Sequence, residues 1–180
     1  MSRDYRDIIT GCKRKNRTSQ NELFKTFAPI MLSICLRYLK DQPRAEDALI
    51  KGFNKVYDHI NDYSGTGSLE GWIKRIIINE CLMIIRKDKK HLKVVSIDEA
   101  PPQAIYLKDR LAYEEILSVL DQLPTGYRTV FNLYAIEGYK HREIAELLGI
   151  SINTSKSQLI LARKKLQAMI KKKENYKWRA

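Results

Sequence analysis

The chain has 180 residues, 44% of them hydrophobic and 30% charged, and a formal net charge of +12 with a pI near 9.6. That length suits one ordinary domain or two small ones, and the charge favours a polyanion or an anionic membrane surface as partner. Three widely spaced cysteines with no CxxC pair argue against a disulfide framework. Met1–Thr10 is too polar for a signal peptide and no apolar run approaches a membrane span, so a cytoplasmic protein is expected.

Nearly every segment carries helical period and none alternates as a strand would. The fold class expected is therefore all-α. Ser19 or Asn21 opens a helix over about Gln20–Lys40, with Leu23, Phe27, Met31, Ile34, Cys35 and Tyr38 apolar and Pro29 predicting a kink or break. Cys35 and Cys81 lie in apolar helical runs and are expected to be reduced core residues. Pro43 or Arg44 starts a second helix to about Ile60, with Ala48, Leu49, Phe53, Val56 and Tyr57 inward. Ser64–Ser68 is a glycine-bearing loop, and Leu69 to about Lys87 a third long helix. Asp88–Leu111 contains Pro101-Pro102, which rules out a continuous helix there. Ala112–Leu123 is helical, Pro124-Thr125-Gly126 a turn, and Tyr127–Glu137 a helix ended by Gly138. The organisation expected is a helical domain over 1–90, a flexible linker over 91–111 and a second helical domain over 112–180.

The last two helices carry the sharpest pattern. HREIAELL (His141–Leu148), GIS and INTSKSQLILARKKLQAM (Ile152–Met169) read as short helix, tight turn and longer basic helix. A helix-turn-helix needs that order of parts. Gly149 suits the left-handed end of the first helix, and Ser151 or Asn153 can cap the second. Ser155, Leu159, Ala162, Leu166 and Met169 recur at three- and four-residue steps and form the inward face. Asn153, Thr154, Ser157, Ile160, Leu161 and Lys164 face the other way, flanked by Lys156 and Arg163. Lysine and arginine can neutralise phosphates there, and asparagine, serine and lysine can read base edges. Ile160 and Leu161 suit thymine methyls; the bland alternative makes them core.

Four segments in order resemble one family. Arg44–Tyr57 (RAEDALIKGFNKVY) looks like the core-binding helix of the extracytoplasmic-function (ECF) sigma factors of bacterial RNA polymerase, small members of the sigma-70 family. Gly67–Asn79 (GSLEGWIKRIIIN) looks like their promoter-melting segment. Leu120–Phe131 (LDQLPTGYRTVF) looks like the entry to their fourth conserved region, and Tyr139–Leu166 like the helix-turn-helix for the minus-thirty-five element. The resemblance departs at Ile50, Lys51, Ser155, Gln158 and Leu161, where family members commonly carry other residues, so promoter choice and contact chemistry are expected to differ.

The resemblance implies a sigma region 2 bundle and a sigma region 4 helix-turn-helix, with core RNA polymerase, promoter DNA and an anti-sigma factor, often membrane-bound, as partners. Asp47, Lys51, Asn54 and Lys55 would meet core polymerase. Tyr63, Ser64, Gly65 and Thr66 would hold a melted base of the minus-ten element, with Asn79 adding an amide and Lys74, Arg75, Arg86 and Lys87 holding phosphates. An unstacked base offers a π-face and a free pairing edge to such a pocket. Trp72 suits core packing or base stacking. The linker would thread the polymerase interior, and Lys171–Lys173, Lys177 and Arg179 suit either diffuse phosphate attraction or a solvated tail. A stand-alone helix-turn-helix regulator is the rival function. An enzyme has little support, because His59, His91 and His141 lack metal-ligand spacing and no phosphate-cradling loop or nucleophile elbow occurs. No cofactor, metal or catalytic residue is expected.

Overall fold

The computed structural model describes residues 5–92 and 119–177, with side chains described for 5–88 and 119–171. The expected linker, Pro101-Pro102, the helix from Ala112 up to residue 118, and the basic tail beyond Lys171 lie outside the described residues or side chains. The chain separates into two compact units, Met1–Ser96 and Ile97–Ala180.

Unit 1 is built from α1 (Arg6–Lys13), α2 (Arg17–Leu39), α3 (Gln42–Asp58), a single 3₁₀ turn (Ile60–Asp62) and α4 (Leu69–Leu92). The first helix adds to the sequence reading, which placed no element before about Gln20. Its one fully apolar anchor is buried Cys12, and Tyr5 beside it packs its ring 5.2 Å from that of Phe27. α2 begins earlier than expected because Asn16, not Ser19 or Asn21, is its cap: the Asn16 side chain accepts from the Ser19 amide at 3.1 Å. Pro29 neither breaks nor ends α2. Pro29 is exposed, so the carbonyl that loses its amide partner one turn earlier can be met by water.

Asp41 caps α3, accepting from the Arg44 amide at 2.9 Å, and Pro43 falls in the first turn, where a missing N–H leaves no bond unmade. The three long helices bury Phe27, Met31 and Tyr38 of α2, Leu49, Phe53 and Val56 of α3, and Ile73, Ile77, Ile78 and Leu82 of α4. Each contributes roughly 1.5–3 kcal/mol by leaving water. Gly52 lets α3 approach α4, since a Cβ there would lie 2.4 Å from Ile77 Cδ1. Cys12, Cys35 and Cys81 are all buried and reduced. The Cys81 thiol is held protonated, first by its hydrogen bond with Cys35 and then by burial.

Unit 2 contains α5 (Thr125–Phe131), a π-type turn (Asn132–Ile136), α6 (His141–Leu148) and α7 (Ile152–Lys177). Thr125 and Gly126 are helical rather than a turn, and the expected straight helix over Tyr127–Glu137 widens at Asn132. Gly138 ends it at φ +78°, with the Tyr139 amide bonded to the Leu133 carbonyl at 2.9 Å. Leu120, Leu123 and Ala162 form a buried cluster edged by Tyr127, Phe131 and Leu166. Buried Arg128 ties the α5 entrance by donating to the Leu123 carbonyl at 3.1 Å.

Candidate nucleic-acid interface

The turn between α6 and α7 is built as the sequence pattern requires. Ile144, Ala145 and Leu148 are buried on α6. Gly149 closes that helix at φ +63°, a left-handed geometry in which a Cβ is disfavoured by about 1–2 kcal/mol. Ser151 then caps α7: its Oγ accepts from the Thr154 amide at 2.9 Å. The inward face of α7 follows, with Ser155, Leu159 and Ala162 buried and Leu166 and Met169 half-buried.

The opposite face is free. Asn153, Lys156, Ser157, Arg163 and Lys164 are exposed and Thr154 half-exposed. Ile160 is 64% and Leu161 41% exposed, which removes the alternative that they are core. An exposed isoleucine on a basic helix is a contact surface for apolar groups such as thymine methyls.

One aromatic escaped the sequence reading. The π-type turn leaves Tyr134 exposed, where its ring stacks 4.6 Å from His141 and the Arg163 guanidinium lies 5.8 Å above it. His141 also shares a 2.9 Å hydrogen bond with Ser155 Oγ, tying α6 to α7 behind the exposed face. The tell-tale in sequence was an aromatic at the foot of the helix-turn-helix, but periodicity alone placed Tyr134 on an ordinary helix.

In unit 1 the loop after Ile60–Asp62 turns through Gly65 and Gly67 at φ +79° and +81°. Tyr63 lies beneath it, 8% exposed, its hydroxyl donating to the Gly67 carbonyl at 2.9 Å and its ring 5.5 Å from that of Trp72. Ser64, Gly65 and Thr66 are exposed, the two hydroxyls 2.6 Å apart. The aromatic pair thus forms the floor of the loop, and the small polar groups form its rim. On α4, Arg75, Asn79 and Arg86 fall on one stripe at 3.6 residues per turn, with Trp72 beside them. Lys74 and Lys87 point to other sides of the same helix.

Asp47, Lys51, Asn54 and Lys55 share a stripe of α3, but their environments differ. Lys51 pairs with Asp47 at 2.5 Å in full solvent, a contact worth little. Lys55 instead reaches across to α4, 2.5 Å from the Glu80 carboxylate, which is only 8% exposed. Asn54 is exposed without such a tie. Arg44 at the start of α3 pairs with Asp88 of α4. Among the described residues no three His, Cys, Asp or Glu side chains gather as a metal site would need. Among them, too, no helix is long and apolar enough to cross a membrane.

A model of sigma-70 region 2 matches residues 23–91, and a model of sigma-70 region 4 matches residues 113–166. The chain belongs to the sigma-70 family. It is similar to the ECF RNA polymerase sigma factor SigE of Mycolicibacterium smegmatis, 28% identical over 162 residues that cover 86% of this chain and 62% of SigE. It is also similar to the ECF sigma factor SigM of Bacillus subtilis, 25% identical over 159 residues that cover 83% of this chain and 93% of SigM. Among solved structures, the sigma factor RpoE of Bartonella quintana, crystallised with the anti-sigma factor NepR, shares the fold with a TM-score of 0.57 at 20% identity, over 84% of this chain and 96% of that one. The resemblance to ECF sigma factors therefore stands. Within this sigma factor, region 2 spans α2 to α4 and region 4 takes in α5, α6 and the first half of α7, while α1 precedes the matched stretch.

Proposed function

We propose that this sigma factor binds core RNA polymerase in the cytoplasm, directs it to promoters and holds the opened strand, without catalysing a reaction itself and without a cofactor. The observation that carries the reading is the outer face of α7: a capped, glycine-turned helix on which Asn153, Lys156, Ser157, Ile160, Leu161 and Lys164 are exposed and Arg163 lies over the Tyr134 ring. That face would read the minus-thirty-five element through Asn153, Ser157, Ile160 and Leu161, with Lys156, Arg163 and Lys164 on phosphates.

The loop in unit 1 supports the minus-ten role. Ser64, Gly65 and Thr66 would meet the melted base, while Tyr63 and Trp72 fix the floor on which that rim stands. Arg75, Asn79 and Arg86 extend the surface along α4. On α3, Asp47, Lys51 and Asn54 would meet core polymerase, and Lys55 would keep the stripe in place through Glu80. In this reading the domain over 1–90 carries the polymerase and minus-ten roles, the domain over 112–180 carries the minus-thirty-five role, and 91–111 joins them. RpoE's complex with NepR supports an anti-sigma partner for this chain as well.

Gel filtration with sigma-free core RNA polymerase tests the reading: stoichiometric co-elution is expected, followed by promoter-dependent run-off transcription. DNA binding without co-elution would instead favour the stand-alone regulator. Lys156→Ala with Lys164→Ala is expected to lower the slope of log affinity against log salt by about 2, at about 0.9 per phosphate on duplex DNA. An unchanged slope would remove both lysines from the contact face. Tyr63→Phe keeps the floor ring but frees the Gly67 carbonyl, so permanganate reactivity of promoter thymines is expected to fall while closed-complex affinity holds.

A further inference from the structure

The turn between α1 and α2 precedes the region 2 match, which begins at residue 23, and belongs to neither contact surface described above. From Gly11 to Glu22 the sequence holds four cations, Lys13, Arg14, Lys15 and Arg17, and one carboxylate, Glu22. All four cations are exposed. The turn sits at the end of unit 1 that carries the Tyr63–Ser68 loop. Tyr57, next to the last residue of α3, donates its hydroxyl to the Gln20 carbonyl in the first turn of α2 at 2.9 Å. α1 itself packs on the Ile60–Asp62 turn that leads into the loop. The Tyr57 hydroxyl is pushed up to about 12, by burial first and by Cys12 second, so it stays protonated and able to donate to Gln20.

Two of the cations occupy positions that folding alone disfavours. Lys15 is at φ +58°, the left-handed residue of a helix-ending motif in which its amide bonds the Cys12 carbonyl and the Asn16 amide bonds the Gly11 carbonyl, both at 2.9 Å. Glycine is the residue that geometry prefers. Arg17 opens α2, where the helix dipole repels a cation and where no acidic residue offsets it. The two helices approach closely at this turn: Gly11 lies so near Ser19 that a Cβ would collide with the serine side chain. A cation held at an unfavourable backbone position points to a use outside the fold.

We propose that Arg14, Lys15 and Arg17, with Lys13 beside them, hold the phosphate backbone of the melted promoter strand as it leaves the Tyr63–Ser68 loop. This rests on the minus-ten role proposed for that loop. A single strand spaces its phosphates evenly whatever its sequence, so a patch of long, exposed basic side chains suits it better than a shaped pocket. The patch would add affinity and salt dependence to the open complex and leave base preference to the loop.

The test uses holoenzyme assembled from core polymerase and the full chain. The probe is a promoter fragment recovered by that holoenzyme from sheared genomic DNA and mismatched to hold the bubble open. R14Q/K15Q/R17Q is expected to lower the salt slope by about 2, at about 0.7 per single-strand phosphate, with the same preference for bubble sequence. Lys15→Gly is expected to lower it by about 0.7 while melting at or above the parent temperature, since it relieves the left-handed lysine. A parent slope in both variants, with run-off transcription intact, would overturn the patch and leave the sigma-factor reading standing. Lost co-elution of either variant with core polymerase would also overturn it, making the turn a polymerase contact. Failure of the unaltered chain to transcribe the recovered fragment would overturn the loop's role and this inference with it.

Discussion

The two units solve the problem of presenting a contact surface in opposite ways. Unit 2 has a small core, a few leucines and alanines under α5 to α7, and it devotes a whole side of its longest helix to solvent. Unit 1 buries all three cysteines and the rings of Phe27, Tyr38, Phe53 and Tyr63, and its exposed polar groups sit on a loop rim and on stripes that are partly tied across to neighbours. A helix with one free side advertises its function in its periodicity. A bundle whose surface cations brace its own core does not.

That contrast can be broken most forcefully in the smaller core. Leu133→Ala empties a fully buried site within the π-type turn and is expected to destabilise unit 2 by about 2–5 kcal/mol. Hydrogen exchange of the α6 and α7 amides would show the loss; unchanged protection would mean that the helix-turn-helix stands without that core. The next effect separates two lysines that look alike in sequence. Lys55→Met strands the nearly buried Glu80 carboxylate and is expected to cost about 1–3 kcal/mol, whereas Lys51→Met loses only an exposed pair and is expected to cost under about 0.5 kcal/mol. Urea denaturation of both variants checks the difference. Equal losses would return Lys55 to the free contact stripe.

The same contrast explains what was legible. The α7 faces, the Gly149 turn and the Ser151 cap followed from spacing and turn chemistry, because each is local. α1 was missed because it is only eight residues long, so the shared face of Ile8, Ile9 and Cys12 spans barely two turns. Pro29 left kink and break both open, and α2 runs through it without a break because proline's penalty depends on whether water can reach the freed carbonyl, which is a tertiary fact. Tyr63 was legible as important but not as a floor, since its bond to Gly67 depends on two positive-φ glycines folding the loop back over it. Lys55 read as a free cation because Glu80 lies 25 residues away on another helix. The extended pairing of α3 with α4 also hid the tight crossing at Gly52, which spacing alone does not mark.

A smaller effect tests the local part of that account. Gly149→Ala forces a Cβ into the left-handed region at φ +63° with open space around it, so the penalty is backbone strain alone. A loss of about 1–2 kcal/mol in unit 2 is expected, with the salt slope of DNA binding unchanged. A loss of slope as well would show that the turn aims α7 as well as ending α6.

The smallest effect concerns His141. Burial first, and then the nearby Lys156 and Arg163 charges, push its imidazole below the ordinary value, while Tyr134 stacks on the ring and Ser155 Oγ holds one nitrogen. A base whose charged form is disfavoured in the fold takes its proton at lower pH when folded than when unfolded. Its contribution is therefore present above the ordinary histidine value of about 6.5 and lost as pH falls below that toward the lowered folded value. Mild acid should loosen the α6–α7 tie before it touches unit 1. NMR titration of the His141 ring is expected to show the lowered midpoint, and Lys156→Ala should raise it part of the way back. Duplex DNA on the outer face of α7 should raise it too, because phosphates neutralise the two cations that oppose protonation. A midpoint that ignores both the lysine and the DNA would leave burial as the sole cause, and would separate His141 from the contact face it stands behind.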